Sequence, residues 1–280
     1  MRQVPEPHVA PPSSATGLRT IPDFARFKAD RRKITMLTAY DAWSARLVAA
    51  SDVDAILVGD SVAMVVHGHP HTLSATVELM ALHTRAVASA AGGKLVVTDL
   101  PFLSCRKGIP EAMTAVGTLV AAGAHAVKLE GVDGHEDVVG HIVGSGVPVM
   151  GHLGLTPQSV HALGGFRVQG RSDEAAARLL RQARMLEELG CFAIVLECVP
   201  AALASRVTAE VEIPTIGIGA GAGTDGQVLV LQDLLGLAAG HTPRFVRRYL
   251  DGDRLLTGAL NEFNADVKAE RFPELEESYS

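Results

Sequence analysis

The stretch ITMLTAYD at residues 34–41 sets the pattern that decides the fold. Short apolar runs of the same kind return as AILVGD (55–60), KLVVTDLP (94–101), AVKLEG (126–131), PVMGHLGL (148–155), AIVLEC (193–198), PTIGIG (214–219) and VLVLQDLLG (228–236). Most are rich in Val, Ile and Leu without strict polar alternation, as parallel strands buried on both faces require. Between most of them lie segments with helical spacing. The clearest are 111–124 and 173–190, each ending near a glycine. Eight strands alternating with helices over about 250 residues match an α/β fold of the (β/α)8 TIM-barrel kind. An open doubly wound sheet shares the periodicity but usually has fewer strands.

The chain has 280 residues, of which 48% are hydrophobic, enough for a sizeable core. Residues 1–19, rich in Pro and Ser, read as a disordered tail. No linker composition interrupts the remainder, so residues 20–280 read as a single domain with a polar C-terminal tail. The net charge of −6, with no basic cluster, argues against a nucleic-acid partner. No charge-free apolar stretch approaches membrane-spanning length, which argues against a membrane partner. The three cysteines, Cys105, Cys191 and Cys198, form no Cys-x-x-Cys pair and read as reduced thiols of a cytoplasmic protein.

Polar residues gather at or near the C-terminal ends of the apolar runs: Asp41, Asp60 with Ser61, Asp99, Lys128 with Glu130, His152 and Glu197. In a barrel those ends form one face, where active sites are built. Lys128 and Glu130 stand two apart on a strand and so point to the same side, into the barrel mouth. Asp60, Asp99 and Glu130 offer hard oxygen ligands suited to Mg2+ or a similar ion. The alternative for each acid is a helix cap. Lys128 is open to three roles: a structural ion pair, a Schiff-base nucleophile, or a clamp on a substrate anion. Glu197 ends an apolar run, where partial burial would raise its pKa and suit it to general-base work; a helix cap after Pro200 is the competing role.

Two motifs carry less than they promise. HGHPH (67–71) would share one face as a strand and bind zinc, but its Gly and Pro favour a loop. GAGTDG (221–226) satisfies Gly-x-Gly-x-x-Gly, yet a β-like run follows it where a nucleotide site needs a helix, so a tight barrel loop is expected. Trp43 reads as a core or interface residue, and RFVRRYL (244–250) as a solvated helix face.

With these stretches in view, the sequence closely resembles the ketopantoate hydroxymethyltransferase family. The resemblance runs from about Ile34 to Pro273 and is carried by MLTAYD, ILVGDS, VVTDLPF, AVKLEG, PVMGHLGLTPQSV, GGFRVQGR, AIVLECVP, IPTIGIGAG and DGQVLVLQDLLG. It implies a (β/α)8 barrel, one Mg2+ ion and 5,10-methylenetetrahydrofolate as co-substrate. The reaction it implies is transfer of a one-carbon unit to 3-methyl-2-oxobutanoate through a Mg-stabilised enolate, giving ketopantoate in pantothenate biosynthesis. By position, Asp60, Asp99 and Glu130 resemble the family's metal-site acids. Asp60, Ser61, Asp99 and Lys128 resemble its keto-acid contacts, His152 a histidine beside the substrate, and Glu197 the proton acceptor. A homodecamer, a pentamer of dimers, is also implied. Ala63 stands where the family usually has glycine, and the HGHPHTL loop is more histidine-rich than usual. The competing functions are a Mg-dependent oxo-acid carbon–carbon lyase, a Lys128 Schiff-base aldolase and a non-catalytic ligand-binding barrel.

Overall fold

A computed structural model of the protein describes residues 19–238 and 242–279. The tail expected over 1–19 lies, but for Arg19, outside the described residues. The chain divides between Val228 and Leu229 into two compact units.

In the first unit parallel strands close a barrel in chain order: β1 Ile34–Thr38, β2 Ala55–Val58, β3 Leu95–Asp99, β4 Ala126–Glu130, β5 Val149–Gly154, β6 Ala193–Glu197, β7 Thr215–Ile218 and β8 Gly226–Leu229. Each of the eight apolar runs contains or overlaps one strand. The helices of this unit are α1 Ile21–Ala29, α2 Ala42–Ala49, α3 Val62–Val65, α4 Val77–Ala88, α5 Ile109–Ala121, α6 Glu136–Gly144, α7 Asp173–Glu188 and α8 Ala201–Glu210. Their starts follow local chemistry. Thr76 and Ser172 accept hydrogen bonds from Leu79 N and Ala175 N at 3.1 and 3.2 Å, and α5 carries Pro110 in its first turn.

Strands β2 and β3 are buried at every residue, as their unbroken Val/Ile/Leu runs predict. Inside the barrel Met36, Leu57, Val97, Met150, Val195 and Ile216 pack with Phe24 and Phe27 of α1. Each buried phenylalanine contributes about 1.5–3 kcal/mol. Lys28 fastens the same helix, donating to Asp225 Oδ2 at 2.9 Å and to the carbonyls of Thr208 and Ile213.

Helix α1, nine residues long, precedes the first apolar run and lies outside the sequence expectations. Three details differ from those expectations. The last strand starts at Gly226 and ends at Leu229, because LQDL turns into α9, Leu231–Leu234. RFVRRYL is turn and coil rather than helix, and of the two settings expected for Trp43, core or interface, its 58% exposure excludes the core. The segment GAGTDG is the expected tight connection, between β7 and β8. The second unit carries α9 and α10, Gly252–Lys268, with Leu256, Leu260 and Phe263 exposed, and its residues 269–279 are exposed throughout.

Candidate active site

Strand register sets the heights of the functional side chains. Asp99 pairs with Lys128 across β3 and β4, Glu130 with His152 across β4 and β5, and Gly154 with Glu197 across β5 and β6. Asp60 and Ser61 stand one glycine beyond the end of β2. Acids from four strands and one lysine therefore meet at the C-terminal mouth, as the sequence predicts. Asp41 is the exception: its side chain caps α2, accepting from Ser44 N at 2.7 Å. The helix-cap alternative does not hold for Glu197, since α8 has no side-chain cap.

Lys128 Nζ is buried 2.9 Å from Asp99 Oδ1, although off the direction of a well-aligned hydrogen bond. Burial alone would lower the lysine's pKa, but Asp99, Glu130 and Asp60 together outweigh it and raise it. An ammonium held this firmly is a poor Schiff-base nucleophile and a good anion clamp. Its Nζ also lies 3.1 Å from His152 Nδ1. An ammonium only donates, so Nδ1 accepts and the imidazole proton sits on Nε2. Burial, then the Lys128 charge, holds His152 well below the usual histidine range, so the ring is neutral. Its Nε2 lies 3.2 Å from Glu197 Oε2, off the direction of a hydrogen bond, and its Nδ1 3.6 Å from Glu130 Oε1.

The acids respond to this crowding. Burial, then the neighbouring Asp99, pushes Asp60 up to about 7. Burial and Asp60 hold Glu130 well above the ordinary carboxylate range. Burial lifts Glu197 to about 7, against the pull of Lys128. Asp99 Oδ2 accepts the Asp60 backbone N–H at 3.0 Å, tying the end of β2 to β3. On the other side Ser61 Oγ meets the buried Tyr40 hydroxyl at 2.8 Å.

Gln158 is the residue that sequence reasoning missed. Its side-chain amide donates to Asp60 Oδ2 at 2.8 Å and to Leu100 O at 3.0 Å, while its backbone N–H donates to Glu130 Oε2 at 2.9 Å. One residue thus holds two acids in place. An uncharged glutamine in a short 3-10 turn gives no signal by spacing or charge. Gly154 supports the same corner. Its φ of +90° suits glycine, and a Cβ there would stand 2.2 Å from the Glu197 carbonyl. That carbonyl accepts the Leu155 N–H at 2.8 Å.

The donor set fits a hard divalent cation. Burial, then the crowding of neighbouring acids, holds Asp60 and Glu130 above the ordinary carboxylate range, and a cation would relieve that crowding. Asp99 Oδ1 is buried without an aligned hydrogen bond. Among the described residues no three His, Cys, Asp or Glu side chains close into a full metal cage. Mg2+ does not need one, since it binds through one or two carboxylates and keeps water or substrate in its other positions. Beside Glu130 a cavity of about 340 Å³ opens between Gly154, Thr156, Gln169, Arg178 and Gln182.

Comparison with known proteins adds a second line. The family model of ketopantoate hydroxymethyltransferase matches residues 19–275. Three relatives are each named 3-methyl-2-oxobutanoate hydroxymethyltransferase. The one from Bdellovibrio bacteriovorus is 56% identical over 263 residues, covering 94% of this chain and all of that protein. One from Coxiella burnetii is 53% identical, covering 91% of this chain and 96% of that one. One from Francisella tularensis subsp. novicida is 50% identical, covering 94% and 99%. Among solved structures, phosphonopyruvate hydrolase complexed with oxalate and Mg2+ superposes with a TM-score of 0.60 at 13% identity, covering 92% of each chain. The 2,3-dimethylmalate lyase of the PEP mutase/isocitrate lyase superfamily reaches 0.55 at 16% identity, covering 93% of this chain and 91% of that one. At such identities these two structures speak for the barrel alone.

Proposed function

This chain belongs to the ketopantoate hydroxymethyltransferase family and is an enzyme of the ketopantoate-forming reaction; from that premise we propose how its residues divide the work. Glu197 takes the C3 proton of 3-methyl-2-oxobutanoate. The observation that carries this role is a carboxyl lifted to about 7 by burial, at the mouth of the barrel beside a neutral imidazole. A base is most effective when its pKa lies near the working pH. His152 stands against Glu197, its Nε2 3.2 Å from Oε2, and Lys128 fixes the tautomer from the other side while offsetting negative charge on the substrate. Ser61, steadied by Tyr40, and the Asp60 and Asp99 pair line the keto-acid site.

Asp60, Asp99 and Glu130 would hold one Mg2+ ion, whose bound charge supplies Lewis-acid polarisation of the keto oxygen. Support comes from the packing of these buried acids at one mouth, where burial and their neighbours hold Asp60 and Glu130 above the ordinary carboxylate range. Gln158 positions two of the three acids. The one-carbon donor is 5,10-methylenetetrahydrofolate, held beside the keto acid so that C3 meets the methylene carbon without a diffusive step. Reduced thiols favour a cytoplasmic setting; Cys105, Cys191 and Cys198 are all free. No helix among the described residues is long and apolar enough to cross a membrane. A homodecamer would cover some of the exposed apolar side chains of α2 and α4, among them Trp43, Leu47 and Leu82.

The test is direct. Protein with 3-methyl-2-oxobutanoate, Mg2+ and 5,10-methylenetetrahydrofolate is expected to yield ketopantoate by mass spectrometry. Omitting the folate or adding excess chelator is expected to abolish the product. Ketopantoate formed in full without the folate would remove that donor from the scheme, and ketopantoate formed in chelator would remove the metal.

A further inference from the structure

HGHPH forms the expected loop between α3 and α4, and its own three histidines do not converge as a metal triad. One of them meets a different partner. His67 Nε2 lies 2.9 Å from Nε2 of His83, which projects from α4, and the two rings stand at 75° with centroids 5.2 Å apart. His83 Nδ1 lies 2.5 Å from the Tyr40 carbonyl. A carbonyl only accepts, so the His83 proton sits on Nδ1 and its Nε2 carries a bare lone pair facing His67. A backbone carbonyl fixing the far nitrogen of a ring is how protein metal sites orient their histidines.

We propose that His67 and His83 form a two-histidine site for a borderline-soft divalent metal of the zinc, nickel or copper(II) class, separate from the acidic site in the barrel mouth. Two imidazole nitrogens bound to one tetrahedral zinc at about 2.0–2.1 Å stand roughly 3.3 Å apart. The present separation of 2.9 Å therefore needs to open by a few tenths of an ångström, with the His67 ring turning so that both lone pairs converge on the metal. His67 is exposed and its loop can supply that movement. Without metal, His67 Nε2–H donates to the His83 lone pair; on binding, that proton moves to His67 Nδ1 and the second lone pair is freed. Water completes the coordination. Imidazole nitrogen suits these metals, whereas the carboxylates of the mouth suit harder ions. The site ties the loop after Ser61 to α4, and its anchoring carbonyl belongs to the tyrosine whose hydroxyl meets Ser61.

The experiment is a Zn2+ titration by calorimetry on the full chain, with excess Mg2+ present to occupy the acidic site. The expected result is one zinc per chain, bound at least about tenfold more weakly by His67→Ala and unchanged in His71→Ala. His67 is exposed, so its replacement leaves folding intact. Electron paramagnetic resonance of the Cu2+-loaded protein is expected to report two equatorial imidazole nitrogens, falling to one in His67→Ala. Equal zinc affinity in the parent and His67→Ala, no zinc binding by the parent, or loss of binding in His71→Ala instead would each overturn the site.

Discussion

Replacing Glu197 by glutamine is expected to make the protein more stable and nearly inactive at once. Burial raises the carboxyl from 4.5 to about 7, a displacement worth about 3 kcal/mol between its protonated and ionised forms. A raised acid contributes stability while it keeps its proton, and loses it as pH rises through the folded value. Glutamine has the protonated shape and no charge to bury, so it escapes the penalty. The side chain is 17% exposed, and residual hydration trims the figure. In chelator, Glu197→Gln should therefore exceed the parent by about 2–3 kcal/mol at about pH 8, shrinking to about 1 kcal/mol or less at about pH 5. Denaturant midpoints at the two pH values measure the gap. The same variant should slow exchange of the substrate C3 proton by about 100- to 10,000-fold. A variant less stable than the parent at the higher pH, or a gap that does not widen with pH, would refute the burial argument. Normal proton exchange would refute the base assignment.

Three further outcomes follow from the same geometry. Lys128→Met leaves Asp99 buried without its cation and should cost about 3–5 kcal/mol at neutral pH, less in acid as Asp60 and Glu130 take up protons; an unchanged denaturation midpoint would contradict the ion pair's role. Asp99→Asn should weaken both Mg2+ and keto-acid binding by at least about tenfold in calorimetric titrations, and unchanged metal affinity would remove Asp99 from the ligand set. Gln158→Leu takes a donor from Asp60, so the acid limb of the kcat/KM profile should move to higher pH while the fold persists; an unmoved limb would make Gln158 a purely structural residue.

The barrel was legible because burial on both faces leaves a plain mark: a run such as KLVVTDLP has few alternatives. The charged members of the site were legible for the converse reason. A lysine or acid inside an apolar run demands a partner, and the barrel rule says where the partners gather. What stayed hidden lacked either mark. Helix α1 is short, and its two buried phenylalanines acquire meaning only once a barrel floor exists to receive them. Gln158 is neutral and sits in a short 3-10 turn, so its three hydrogen bonds come from tertiary placement alone. VLVLQDLLG misled by continuity: an apolar run does not say where a strand yields to a helix. The His67 and His83 contact joins residues 16 apart and belongs to no local pattern.

The pairing of Asp99 with Lys128, Glu130 with His152, and Gly154 with Glu197 also dictates which lengths of chain can vary. Side chains alternate along a strand, so gaining or losing one residue within β3 to β6 would rotate an entire functional set from the barrel mouth to the helix layer. Insertions in the connections after Ser61 or Gly165 would change the walls around the site without touching that alignment. For anyone redesigning the enzyme, the strands set a fixed pitch and the loops are the adjustable parts. A new substrate preference should be sought by altering loop length, with every strand held at its present count.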